Sequence, residues 1–254
     1  MTTRRALLTG LAGLAGAAFT GASTASAAPR QPPAELAPPG RDDLKVRIRT
    51  RAEWGADERL RFGPKGELWP PTFSPVQCLT VHHSAIAVDG DRDAAVRSIY
   101  HGHTVGNAWG DIGYHLLIDP EGVLYQGRHT GGAAVFGTMQ ANGRATGTVT
   151  AGHVRGRNPG NIGICLLGDF TGGLPAPGAW STLTRTLAAL TLLCGLDPLA
   201  RLTYVNTEDG QRYEGPVLAR HRDWVSTQCP GNLFAETFEP VRLEVARLRG
   251  ARRR

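Results

Sequence analysis

Short apolar runs alternate with amphipathic stretches over most of the chain. Cys78 to His82 (CLTVH) is brief and rich in β-formers, which predicts a buried strand. Asp91 to His103 sets Ala95, Ile99 and His103 at four-residue steps and predicts a helix. Tyr114 to Ile118 and Val123 to Arg128 flank Asp119-Pro120-Glu121-Gly122, whose Pro and Gly suit a tight turn, so this stretch reads as a β-hairpin. Ile162 to Leu167 is a further apolar run and predicts another buried strand. Trp180 to Cys194 brings Leu183, Leu187, Leu190 and Cys194 onto one helical face, and Gly195 and Pro198 should end that helix. Leu218 to Arg220 leads into a loop at His221, and Leu243 to Leu248 predicts a closing amphipathic helix. Strands alternating with helices point to one α/β domain with a mixed central sheet flanked by helices. Gly131 to Gly152 and Thr207 to Gly215 fit neither period and read as long loops beside the sheet. No internal repeat is visible.

The N-terminus has a different character. Arg4 and Arg5 precede an apolar run from Ala6 to Phe19 and an Ala25-Ser26-Ala27 cleavage pattern, which reads as a twin-arginine export signal over 1–27. The apolar run falls short of a membrane span, and no later segment supplies one, so the expected product is secreted, extracellular or wall-associated, and monomeric. Residues 28–45, rich in proline, read as a disordered linker, which puts the folded domain at 46–248. The formal charge of +6 is concentrated at the ends. Without Arg4 and Arg5, 26 basic residues face 22 acidic ones, and setting aside the five arginines of Arg247 to Arg254 leaves the rest at −1. The basic tail over 249–254 therefore suits contact with an anionic wall polymer better than specific nucleic-acid binding.

Candidate chemistry concentrates at histidine and cysteine. His221 and Cys229 stand eight positions apart, a spacing for a loop folding back on itself, and the pair His82-His83 lies far upstream. Histidine and cysteine from two distant segments form a donor set that zinc favours. On a strand only one of His82 and His83 can face a common ion, and the alternation does not say which. Three protein ligands leave a position for water, the pattern of a catalytic zinc; a fourth ligand drawn from His101, His103, His115, His129 or His153 would close the site as a structural one. Zinc would bring the pKa of its water to about 7 and polarise a carbonyl. A developing oxyanion then needs a donor, which Tyr114 or Thr227 can supply. Four cysteines in an exported chain suggest two disulfides, but a ligand role for Cys229 leaves Cys78, Cys165 and Cys194 and at most one bridge. Cys165, within an apolar strand, reads as a buried free thiol.

The motifs RAEWGA (Arg51 to Ala56), VHHSA (Val81 to Ala85), WGDIGYHLLIDPEGVLYQGR (Trp109 to Arg128), AGHVRGRNPGNIGICLLGDF (Ala151 to Phe170) and RHRDWVSTQCPG (Arg220 to Gly231) occur in one order. Together they closely resemble the peptidoglycan recognition protein and N-acetylmuramoyl-L-alanine amidase family, over roughly Arg47 to Arg247. The resemblance implies that family's fold, and a secreted zinc amidase that cuts between N-acetylmuramic acid and L-alanine. It names His82, His221 and Cys229 as the zinc ligands, Tyr114 and Thr227 as catalytic, and His103, Arg128 and His153 as lining a muropeptide groove. Recognition proteins of the family that bind peptidoglycan without cutting it typically lack the cysteine; a non-catalytic binding module is the alternative reading. About twenty extra residues between Arg128 and Gly152, and those at Thr207 to Gly215, depart from the family pattern and are expected to border the groove.

Overall fold

The computed structural model describes residues 34–132, 135–137 and 139–250. The expected export signal and residues 251–254 of the basic tail lie outside them. Among the described residues no helix is long and apolar enough to cross a membrane.

Seven strands build the central sheet in the order β1 (Glu35–Leu36), β2 (Val46–Arg49), β8 (Leu124–Gln126), β7 (Leu116–Ile118), β10 (Asn161–Leu166), β6 (Cys78–His83) and β13 (Leu218–Arg220). β10 runs parallel to both β7 and β6, and β13 runs parallel to β6. β7 and β8 are antiparallel, as the Asp119–Gly122 turn requires, so the sheet is mixed. Every residue of β6 and β10 is buried, which is why neither shows the apolar-in, polar-out alternation of a strand with one solvated face. Three small ribbons lie outside the sheet: β3 (Phe62–Gly63) with β4 (Gly66–Glu67), β5 (Phe73–Ser74) with β9 (Thr148–Val149), and β11 (Arg201–Val205) with β12 (Arg212–Pro216).

Helices cover both faces. α3 (Pro177–Cys194) and α5 (Glu239–Gly250) press Leu183, Leu187, Val241 and Val245 onto Leu79, Val81, Ile162 and Ile164, and the short α4 (Asn232–Glu236) adds Phe234. α3 has proline in its first turn and ends on Gly195 at φ 67°, the left-handed cap that glycine accepts without strain. On the other face α1 (Arg51–Trp54) and α2 (Arg92–His101) set Trp54, Val96 and Tyr100 against Leu117, Tyr125 and Cys165. α2 passes at Gly102 into a wider turn reaching Gly106, which takes His103 off the helical stripe.

Three expectations need correction. The 28–45 linker does not hold over its described part, because β1 pairs with β2 (Leu36 opposite Val46) and Leu36 and Leu44 are buried in the core. Arg41 then clasps the end of α5, donating to the Arg249 carbonyl at 2.8 Å. Two leucines isolated among prolines carry no period, so composition hid them. Thr207 to Gly215 is not all loop: β12 pairs with β11 and places Tyr213 opposite Tyr204. Gly131 to Gly152 is partly ordered as well, with β9 paired to β5 and a bridge from Phe136 to Thr148. The four cysteines are free thiols, and Cys78 and Cys165 are buried as small apolar groups.

Asp111 ties the second face together. Its buried carboxylate accepts from the Arg51 guanidinium at 3.0 Å and the Arg128 guanidinium at 2.8 Å, and from the backbone N–H groups of Ile112 and His129 at 2.8 and 2.9 Å. Arg128 is fully buried, and burial draws it below the ordinary arginine range against the pull of Asp111. Removing the carboxylate strands a buried cation, a change that typically costs about 3–5 kcal/mol. Asp111→Asn should therefore lower unfolding stability by that order in urea denaturation; a loss under about 1 kcal/mol would show that the arginines find other partners.

Candidate metal centre and groove

Adjacent side chains on β6 leave in opposite directions. His83 turns toward Phe170, whose backbone N–H donates to its Nδ1 at 3.3 Å. His82 takes the other face, with Thr80, opposite Cys165 of β10. β13 ends at Arg220, and a tight 3-10 turn over His221–Asp223 follows at once. Asp223 stabilises that turn by accepting from the Arg220 backbone N–H at 2.8 Å and by pairing with Arg242 at 3.2 Å. The loop folds back as the Arg222 N–H donates to the Cys229 carbonyl at 3.2 Å, while the Trp224 indole anchors it to Thr80 Oγ1 at 2.9 Å.

The result is a cluster of three donors. Single ligand atoms of His82, His221 and Cys229 lie within 4.8 Å of one another, and His82 Nδ1 is 3.7 Å from Cys229 Sγ. A tetrahedral zinc with bonds of about 2.0–2.3 Å spaces its ligand atoms by about 3.5 Å, so the donor types and their separation fit that ion. No fourth histidine joins them among the described residues.

Behind His82 the hydrogen bonds assign every ring proton. His153 Nε2 lies 2.9 Å from the Asn161 carbonyl, which can only accept, so Nε2 carries the proton and Nδ1 is left to accept. His82 Nε2, 3.0 Å from His153 Nδ1, must then be the donor. That leaves the His82 Nδ1 lone pair directed at the cluster, the arrangement by which an outer residue sets a metal ligand's tautomer. Gly163 makes room for it: a Cβ there would sit 2.5 Å from His153 Cγ. His115 is spent elsewhere, its ring nitrogens meeting the Val149 carbonyl at 2.7 Å and the Gly163 N–H at 2.9 Å.

Burial sets the ionisation of the cluster. Desolvation and then the surrounding imidazoles hold His82 and His153 well below the usual histidine range, and burial brings His221 down to about 4. The rings are neutral at pH 7, as metal ligation requires. Burial pushes the Cys229 thiol up to about 11, opposed by the His83 backbone N–H, which donates to Sγ at 3.4 Å. A bound cation would reverse that balance by displacing the thiol proton.

The other predicted residues fall into two groups. Tyr114 stands beside the cluster, its ring 5.3 Å from that of His82, and burial together with the Cys165 thiol keeps its hydroxyl well above the ordinary tyrosine range. Thr227 Oγ1 accepts from the Cys229 N–H at 3.2 Å. His103, Arg128 and His153 sit around a groove of about 720 Å³ lined by Leu68, Trp69, Trp109, Gly152, His153, Arg155, Asn158, His221 and Val225. His103 backs that wall, its ring centre 4.8 Å from that of Trp109 and tilted to it by 35°. Arg128 lies beneath it, its guanidinium 4.1 Å from the Trp69 ring centre and donating to the Trp69 carbonyl at 2.7 Å. Among the described residues of the two expected groove-bordering insertions, only Gly152 lines the groove, while the β11–β12 ribbon packs behind it on Cys78 and Trp224. Trp69, Arg155 and Val225 are groove residues that periodicity missed. The signal for Trp69 was a large aromatic before two prolines, in a segment with no strand or helix pattern to bury it.

This fold and donor set define a family, and the chain belongs to it: residues 72–232 match the N-acetylmuramoyl-L-alanine amidase family. A human N-acetylmuramoyl-L-alanine amidase is 30% identical over 192 residues, covering 73% of this chain and 26% of that protein. The chain thus spans about a quarter of the length of that relative. Peptidoglycan-recognition protein SC2 of Drosophila simulans is 29% identical, covering 76% of this chain and 85% of that one. Among solved structures, peptidoglycan recognition protein LE in complex with tracheal cytotoxin, a monomeric diaminopimelic acid-type peptidoglycan, has the same fold, with a TM-score of 0.51 and 24% identity over 76% of this chain and 92% of that one.

Because the His82 ring faces the cluster and His83 meets it through backbone groups, the two should part on mutation. Zinc titration of His82→Ala should show affinity weakened by about 100-fold or more, whereas His83→Ala should stay within about threefold of the parent. The opposite order would mean that β6 presents its other face.

Proposed function

We propose that this chain is an exported zinc-dependent amidase that hydrolyses the bond between N-acetylmuramic acid and L-alanine in peptidoglycan, with 1–27 serving as its twin-arginine signal. The observation that carries the reading is Cys229 beside His82 and His221, three protein donors next to a groove that His221 itself lines. Three donors leave a coordination position for water or substrate. Zinc bound there would supply Lewis-acid polarisation of the scissile carbonyl and a water acidic enough to react near neutral pH.

The chain's own residues have separable tasks. Tyr114 keeps its proton at neutral pH and can donate to the oxygen on which negative charge develops. Thr227 uses its oxygen to cap the Cys229 N–H, which leaves its hydroxyl proton to serve as a second donor. His153 is a positioning residue that holds the His82 tautomer. Arg128, sealed beneath Trp69, shapes the groove wall rather than touching a ligand.

Zinc-loaded protein incubated with a defined muropeptide should release free stem peptide, detected by mass analysis, and Cys229→Ala should reduce release to background while retaining muropeptide binding. Tyr114→Phe should lower turnover by about 10²–10³-fold, the range for loss of one oxyanion donor. If the unaltered protein binds the muropeptide and yields no metal-dependent product, the chain is a recognition module instead. His153→Ala should weaken zinc binding by about 10–100-fold, and His153→Gln, which restores an acceptor for His82, should recover much of it. Equal zinc affinity in all three proteins would remove the positioning role.

A further inference from the structure

Part of the groove wall comes from a segment that precedes residues 72–232, the stretch that matches the family. Leu68 and Trp69 follow the β3–β4 ribbon and line the groove together with Trp109, and Leu68 and Trp109 are exposed there. The segment is fixed along its length. The Leu68 N–H donates to the Arg61 carbonyl at 2.8 Å, the Trp69 carbonyl accepts from Arg128 at 2.7 Å, and the Thr150 N–H donates to the Thr72 carbonyl at 2.7 Å. It lies flush on the Trp109 segment because position 110 is glycine, where a Cβ would stand 2.6 Å from Leu68 Cβ.

The two indoles meet over a second glycine. A Cβ at Gly152 would lie 3.1 Å from Trp69 Cη2 and 3.7 Å from Trp109 Cζ3, so both rings border the space that a side chain there would fill. This makes an apolar aromatic slot with a glycine floor. Asn158, whose Oδ1 already accepts from the backbone N–H groups of His153 and Val154, brings an amide donor to the same groove.

The charge beneath the slot narrows what can enter it. The Arg128 guanidinium lies over the Trp69 ring, 4.1 Å from its centre. A second cation on the other side of that ring would be repelled by the first, which makes an ammonium or guanidinium group a poor guest. Dispersion and loss of hydrating water depend little on that charge and favour a neutral guest with a flat apolar side. A pyranose ring has this shape, because its axial C–H bonds form an apolar face rimmed by hydroxyl and acetamido groups.

Resting on the proposed amidase reading, which makes the ligand a peptide carried on sugar, we infer that Trp69 is a specificity-determining residue that stacks on a pyranose ring of the glycan. The protein then reads the sugar through Trp69 and the peptide elsewhere in the groove.

The two halves of the ligand, the peptide-free disaccharide of N-acetylglucosamine and N-acetylmuramic acid and the sugar-free stem peptide, lack the scissile bond and can be titrated calorimetrically into the zinc-loaded protein without turnover. Trp69→Leu keeps an apolar cover over Arg128 but removes the flat ring. It should weaken disaccharide binding by about tenfold, the scale of one aromatic stacking contact, and leave stem-peptide binding within about twofold. Trp69→Phe should lose less. Disaccharide affinity unchanged in Trp69→Leu, equal weakening of both halves, or no disaccharide binding by the unaltered protein would overturn the inference. Peptide release from the joined muropeptide, measured on the same proteins, keeps the two readings apart. Sugar binding through Trp69 without release would defeat the amidase proposal and leave this role standing, and release with disaccharide affinity untouched in Trp69→Leu would do the reverse.

Discussion

Parallel pairing of β6 with β10 on one side and β13 on the other sets His82 opposite Cys165 and brings the chain out of β13 at His221. The donor cluster follows from that register. A shift of one residue would turn His82 into the apolar layer under α3 and bring His83 to the groove. Because all six residues of β6 are buried, either face must satisfy what it receives, and only one face has His153 waiting with an acceptor nitrogen. The register, the glycine at position 163 and the imidazole pair are thus a single arrangement described at three levels.

Asp111 plays the corresponding part for the groove. Its carboxylate gathers two guanidinium groups, one of which supports the Trp69 wall from below. Two buried cations on one carboxylate make a net positive cluster unless further acceptors share the charge, and Glu58 and the Trp69 and Gly127 carbonyls supply these. The wall of the groove is therefore held by charge and the floor by close backbone packing. Gly113 approaches Gly152 so closely that a Cβ there would lie 2.5 Å from the Gly152 carbonyl.

Much of this was legible in the residues. The hairpin around Asp119–Gly122, the buried strands at Cys78 and Ile162, and the long helix ending at Gly195 all showed in apolar period and turn chemistry, and the mixed sheet followed. The site was legible as residue types and, through family motifs, as named ligands; strand alternation by itself limited the histidine pair to one ligand without choosing it. What stayed hidden depended on distant partners. The family motif implied a groove-lining role for Arg128, but the side chain lies beneath the wall, and its buried partners Asp111 and Trp69 are 17 and 59 positions away. Leu36 and Leu44 looked like linker because a two-residue strand has no period to detect. Thr207 to Gly215 looked like loop because the part of β12 it contains is largely polar and solvent-facing, with only Gly215 buried.

The same short β1 has a consequence for how the sheet meets other molecules. One margin of the sheet is finished by two residues, Glu35 and Leu36, and the other by the three of β13, after which the chain bends away into the His221 turn. Among the described residues both margins are strands of two or three residues, shorter than a run that would template a guest strand. Such short margins disfavour extension of the sheet by an added peptide. On the proposed reading, a peptide ligand is left with the groove beside the donor cluster, where side chains rather than main-chain ladders read it.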